Sequence, residues 1–445
     1  MTASGATAPS SISSFTGAKD FIHMKGEETL LDGVLSGIMR AFEELIPPHA
    51  SRQPLSAASL PIALLGPSFP FLFLAYLARR ADTHLIRLLV LPSAVASALY
   101  FTYHYKIEDP RYRIFEFIRF LVCYYMIGKS LNFAFVRDGR FKIGEKRLRR
   151  VNEVDPESGV DPALFPPWLR DGFELVCALR GIGWDFGRDV YIPPRTTSTQ
   201  KGRFLSDATM SLIKHFLTVD LCDSLIKLVP GVGSPEGGSL FLADLPLHLR
   251  YCLSTATHIL VGMVVIFGLE AGNDFVSLVA VGLFRSSPET WFPLYDSPWR
   301  STSLHQLWGN GWHQLLRHMF LSFGGYPGLW LAGNAGMVLG AFLASGLYHE
   351  LGLQMSDHRV VLFFLSQGVG ILLENRYKRY TGKSVGGVVG WCWTFFWVVF
   401  VGQICTDAWA IGGLPGAVLV PRELSIVRRL VFPAMRYLAQ YNASQ

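Results

Sequence analysis

Apolar residues in this chain come in long runs rather than in the short alternations of a soluble domain. Each run is close to the roughly 20 residues that cross a hydrocarbon core as a helix. Such runs lie near 59–78, 84–104, 113–136, 250–269, 328–348, 358–374 and 387–411, and a shorter one at 274–285 offers a further span. Segment 206–229, SDATMSLIKHFLTVDLCDSLIKLV, mixes apolar and charged residues at helical spacing. It reads either as an interfacial helix or as a polar-lined span. The pattern predicts an all-α, polytopic membrane bundle of about 7–9 spans, with a cytosolic loop or lid region.

Between the runs, the chain divides into a polar region at 1–55, expected to be disordered, helices at 56–136, a hydrophilic connection at 137–205 and a helical core at 206–445. The first twenty residues are small and polar and lack an apolar stretch, so no cleaved signal peptide is expected. The connection opens with Arg137, Arg140, Lys142, Lys146, Arg147, Arg149 and Arg150, which puts that end in the cytosol by the positive-inside rule. Arg79, Arg80 and Arg87 fall on the same side, and the basic run reads as topology-setting charge, with a role in drawing in an anionic donor as the alternative. Further along the connection, Arg180-Gly181-Ile182-Gly183-Trp184-Asp185 predicts a tight turn that presents an aromatic ring, since neither GxGxxG nor a P-loop is present.

A mean hydropathy of +0.30 and 17% charged residues support the membrane reading. Net charge is only +6, and the basic residues gather beside apolar runs, which argues against nucleic acid and for anionic lipid or an anionic cofactor. The six cysteines are scattered and form no zinc or CxxC spacing, so they read as reduced packing residues.

Candidate chemistry gathers late in the chain. Ser303 predicts a helix cap, and LWGNGWHQ (307–314) then places Trp308 and Trp312 on one face with His305 nearby. Gly309 and Gly311 weaken that helix and suggest close approach of a backbone or ligand. The run from Leu329 to Leu347 repeats Gly336, Gly340 and Ala344 every fourth residue, a period that lets helices pack closely. It ends in Ser345-Gly346-Leu347-Tyr348-His349-Glu350. An ionisable residue in such a run is a site hypothesis by default; an interfacial histidine is the alternative. Glu350 points about 100° away from His349 on a helix, so it is expected to anchor another helix.

The ordered blocks RGIGW, LWGNGWHQ…RHMF and ASGLYHEL resemble the wax-synthase-like branch of the membrane-bound O-acyltransferases, and RGIGW is similar to a block of its fungal members that acetylate secondary metabolites. The resemblance implies transfer of an acyl group, acetyl as in these fungal members, from coenzyme A to a hydroxyl of a lipophilic small molecule such as a terpenoid, in the endoplasmic reticulum. It maps the family's essential histidine onto His349 and its partner onto His313. Trp308, Asn310, Trp312, Arg300, Arg317 and Glu350 are the expected pocket residues. Asn310 and Gly311 stand where the family carries two arginines, which leaves donor binding to Arg300 or Arg317. Within the same chemistry, a long-chain alcohol acyltransferase is the alternative. No metal is expected: HExxH and HxxHH are absent, as are the aspartate-rich motifs of prenyltransferases. A transporter is the non-enzymatic alternative, against which stands the lack of an internal repeat.

Overall fold

Backbone in hydrocarbon must satisfy its own hydrogen bonds, so apolar runs of this length become helices. The computed structural model describes residues 18–145, 166–355 and 357–443. The helices are α1 (Ala18–Leu45), α2 (Leu60–Ala78), α3 (His84–Tyr103), α4 (Arg113–Phe135), α5 (Pro167–Cys177), α6 (Lys201–Ile226), α7 (Leu247–Gly282), α8 (Leu304–Gln306), α9 (Arg317–Phe320), α10 (Tyr326–Leu353), α11 (Arg359–Thr381), α12 (Gly387–Phe395), α13 (Gln403–Ile411) and α14 (Phe432–Ala443). Strands Gln53–Pro54 and Tyr105–Lys106 form a short parallel pair. Helices α2, α3 and α4 pack in succession with α5 laid on α2, α6 pairs with α7, and α10 packs on α4 and α11.

Among the described residues, five helical runs are long and apolar enough to cross a membrane: Leu60–Ala78, His84–Tyr103, Leu247–Gly282, Arg317–Leu353 and Gly387–Ile411. The run at 274–285 is not a separate span, because it continues α7 without a break to Gly282. The expected spans at 113–136 and 358–374 form α4 and α11, both helical but more polar. Disorder was expected through residue 55, yet α1 begins at Ala18. Its second half places Leu31, Val34, Leu35, Ile38, Met39 and Phe42 at helical spacing.

The straight span expected at 328–348 is instead folded. Ala332 and Gly333 leave helical geometry, Gly333 at φ 61° and ψ −151°. The chain then doubles back on itself. A Cβ on Gly324 would lie 1.9 Å from the Gly340 carbonyl oxygen, and one on Gly328 would lie 2.0 Å from that of Gly336. Both pairs are centred on residue 332, the mark of an antiparallel hairpin. The small-residue period does permit close helix packing, and the partner is the preceding turn of the same chain.

The basic residues read as topology charge also build structure. Arg79, 1% exposed, forms a two-pronged pair with Glu145 at 2.6 and 2.8 Å. Arg80 pairs with Asp171 at 2.8 Å. Arg87 donates to the carbonyls of Phe133, Val136 and Arg137 and so caps the end of α4. Lys146, Arg147, Arg149 and Arg150 lie outside the described residues.

Candidate active site

The segment that carries the tryptophans is suspended from two helices by carboxylates. From α7, Glu270 Oε1 accepts the amides of Leu294 and Tyr295 at 3.1 and 3.2 Å. From α11, the Glu374 carboxylate accepts those of Leu304 and His305 at 2.6 and 3.0 Å and the indole N–H of Trp393 at 2.9 Å. Ser303 caps α8 as expected, its hydroxyl accepting the Gln306 amide at 3.0 Å. The glycines then end the helix early. α8 passes at once into a π-helical turn over Leu307–Gly311, and a Cβ at Gly311 would meet Ser301 Oγ at 2.9 Å. Gln314 locks this turn by donating to the carbonyls of Trp308 and Trp312, both at 2.9 Å.

An aromatic ladder joins the two histidines. Ring centroids lie 5.6 Å apart for His313 and Tyr295, 5.2 Å for Tyr295 and Trp312, and 5.5 Å for Trp312 and Trp308. The ladder continues 6.2 Å to Phe364, on which the His349 ring stacks at 4.8 Å. Trp308 is fixed by an indole hydrogen bond to Gln367 at 3.3 Å. His349 Nδ1–H donates to the Ser345 carbonyl at 2.7 Å. A carbonyl only accepts, so the neutral ring keeps its Nε2 lone pair free. His313 Nδ1 and the Tyr295 hydroxyl are buried with no hydrogen-bond partner among the described residues. Burial, followed by the nearby His349 and Arg180, pushes the His313 imidazole down to about 3, so it is neutral at physiological pH. The same interaction places the two histidines within electrostatic reach of each other.

The other expected pocket residues scatter. Asn310 and Arg300 are exposed, and Arg317 is half-buried. His305 lends only its backbone amide; its side chain is exposed. Glu350 turns away from His349 and takes His358 Nδ1 at 2.8 Å, just before α11. Among the described residues, no group of three or more His, Cys, Asp or Glu side chains could hold a metal ion.

Sequence reasoning missed Tyr295, Glu270, Glu374 and Gln314. A carboxylate inside an apolar run was the available signal for the two glutamates. Block 180–184 forms the expected tight turn, with Gly181 and Gly183 at positive φ and Trp184 N–H bonded to the Gly181 carbonyl at 2.9 Å. Its ring is packed inward under Arg79 and is only 3% exposed. Arg180 donates to the carbonyls of Phe292 and Pro293, so the block braces the strand of chain entering Tyr295.

Residues 291–366 match the profile described as the membrane bound O-acyl transferase family. Three relatives, all fungal, are similar over longer stretches. Acetyltransferase eriL of Hericium erinaceus is 27% identical over 51% of this chain and 62% of its own length. Acetyltransferase ple2 of Rhodocybe pseudopiperita is 26% identical over 60% of this chain and 70% of its own. O-Mevalon transferase yanI of Aspergillus niger is 25% identical over 52% and 58%. The chain thus spans between 58% and 70% of the length of these relatives. The matched profile covers the carboxylate-hung segment and His349 together, and over these residues the chain is similar to the membrane bound O-acyl transferase family.

Proposed function

We propose that this protein transfers an acyl group, acetyl in the first instance, from coenzyme A to a hydroxyl of a lipophilic small molecule such as a terpenoid. The observation that carries this reading is the fixed tautomer of His349, whose Nε2 is free to accept a proton within electrostatic reach of a buried, neutral His313. In the proposed step, Nε2 takes the acceptor hydroxyl's proton as the oxygen attacks the thioester carbonyl. The carbon–oxygen bond forms, the carbon–sulfur bond breaks, and the proton passes from His349 to the leaving thiolate. His313 Nδ1 and the Tyr295 hydroxyl, both without a partner among the described residues, supply dipoles for the acceptor or the developing oxyanion, where a preorganised dry site is most effective. The acyl-enzyme of nucleophilic catalysis is not needed, because a thioester is already activated.

The relatives named acetyltransferase favour an acetyl donor. One relative named for a mevalon group favours a bulkier acyl chain as the second reading. We also read α4 and α11 as crossings, which brings the bundle into the expected range of about seven to nine spans. The endoplasmic reticulum is the proposed compartment, with 137–205 as a cytosolic unit braced on the site and 206–445 as the transferase core.

Microsomes carrying the protein, given labelled acetyl-CoA or palmitoyl-CoA and a panel of lipophilic alcohols, test this directly. His349→Ala is expected to abolish ester formation with the protein still inserted, and full activity in that variant would remove the base. His313→Asn, a neutral hydrogen-bonding replacement, is expected to keep more turnover than His313→Ala. Equal rates in both variants would show that the hydrogen bond is not used.

A further inference from the structure

Lys129 has no role in the site described so far, yet it is 3% exposed on α4. Its ammonium makes no hydrogen bond or ion pair with the described residues. What surrounds it is aromatic: the rings of Phe186, Tyr125 and Phe133 lie 4.3, 5.9 and 5.9 Å away. Each ring attracts the ammonium only weakly, whereas removing an ammonium from water is costly. Its three N–H donors find no acceptor among the described residues.

The neighbours deepen the deficit of negative charge. Lys129, Arg140 and Arg317 all act on the His318 imidazole, which lies 5.0 Å from the Phe186 ring. Asp185 is the carboxylate that acts on Lys129, and its Oδ2 is shared with Arg140 at 3.2 Å; the other carboxylates of this region have cation partners. Glu145 holds Arg79, Asp171 holds Arg80 and Glu174 holds Lys142. Arg317 makes no ion pair among the described residues. This cation cluster is linked to His349 through α9. α9 begins at Arg317 and His318 and ends at Phe320, whose ring is 6.5 Å from that of His349.

We propose that Lys129, Arg317 and His318, with Arg140 behind them, seat the diphosphate of the acyl donor, so that α9 connects the phosphate end of the donor to His349. This rests on the acyl-CoA reading above. The ammonium and guanidinium groups meet the phosphate oxygens as charge-assisted donors, and the aromatic walls exclude water. The seat also answers the absence of the family's arginine pair at Asn310 and Gly311: the cations come from α4 and α9 instead.

The test compares two donors in phosphatidylcholine nanodiscs, acetyl-CoA and S-acetylpantetheine, which carries the same thioester without the diphosphate. For the wild type, kcat/KM should favour acetyl-CoA strongly. Lys129→Met should shrink that preference at least tenfold, chiefly through KM for acetyl-CoA, and Lys129→Arg should restore most of it. An undiminished preference in Lys129→Met would overturn the proposal. So would loss of the preference in Arg376→Ala instead, because Arg376 lines a separate cleft of about 520 Å³ with Asn334, Asn375 and Arg379. A second readout is thermal stabilisation of the same nanodiscs by ADP. If the wild type transfers no acyl group but ADP stabilises it and not Lys129→Met, the seat stands and the acyl-transfer reading falls. If added phosphatidic acid stabilises the wild type and ADP does not, the seat belongs to lipid and the proposal fails.

Discussion

Glu270 offers a test of whether the site is held by its suspension. Its carboxylate touches no part of the two histidines, yet it accepts the amides of Leu294 and Tyr295, and Tyr295 stands edge-on to both Trp312 and His313. A hydrogen bond to a charged group is worth about 1.5–3 kcal/mol net, against about 0.5–1.5 for a neutral one. Glu270→Gln keeps an acceptor oxygen in place, so the two bonds together weaken by about 2–3 kcal/mol. Glu270→Ala leaves both amides unpaired, at a cost of about 1–3 kcal/mol each. Displacement of a positioning group by about 1 Å is worth on the order of 10²-fold in rate. kcat should therefore fall about 100-fold in the alanine variant and about tenfold in the glutamine variant. KM for acetyl-CoA should move by less than about twofold, since the donor's phosphates are seated elsewhere. Initial rates at saturating acceptor, with thermal melts of the same samples, give the answer. Wild-type kcat in Glu270→Ala would refute the idea that this tether sets the geometry.

Two further outcomes follow from individual groups. Tyr295→Phe deletes a buried hydroxyl that has no partner among the described residues, a group that costs about 1–3 kcal/mol to bury. Its melting temperature should hold or rise while turnover drops about tenfold, and unchanged turnover would show that the hydroxyl meets no reacting oxygen. Gln314→Leu strands the carbonyls of Trp308 and Trp312. It should destabilise the protein by about 2–3 kcal/mol and reduce turnover together; a melt identical to the wild type would mean that the π-helical turn needs no lock.

Local features were legible in the sequence because their causes are local. The Ser303 cap, the glycine turn before Trp184 and the helices under the apolar runs each depend on residues within a few positions. The turn away of Glu350 followed from helical geometry alone. What could not be read was pairing across the chain. Glu270 and Glu374 hold amides 24 and 70 residues away, and no spacing rule connects such partners. Arg79 and Arg87 looked like topology charge because their acceptors, Glu145 and the end of α4, become neighbours only once α2, α3 and α4 have packed. The break at Ala332 and Gly333 was hidden inside an unbroken apolar run. Its only mark was the glycine spacing, which announces close packing without naming the partner.

The suspension of the tryptophan segment has a consequence for the medium as well as for the enzyme. The segment hangs at one end from α7 and at the other from α11, while His349 rides on α10. The distance between indoles and base is therefore set by how these helices lean against one another. Helices adjust their tilt to the thickness of the surrounding hydrocarbon. The bilayer thus acts as a control on the gap between the reacting groups, and turnover should pass through an optimum as acyl chains of the host lipid are lengthened.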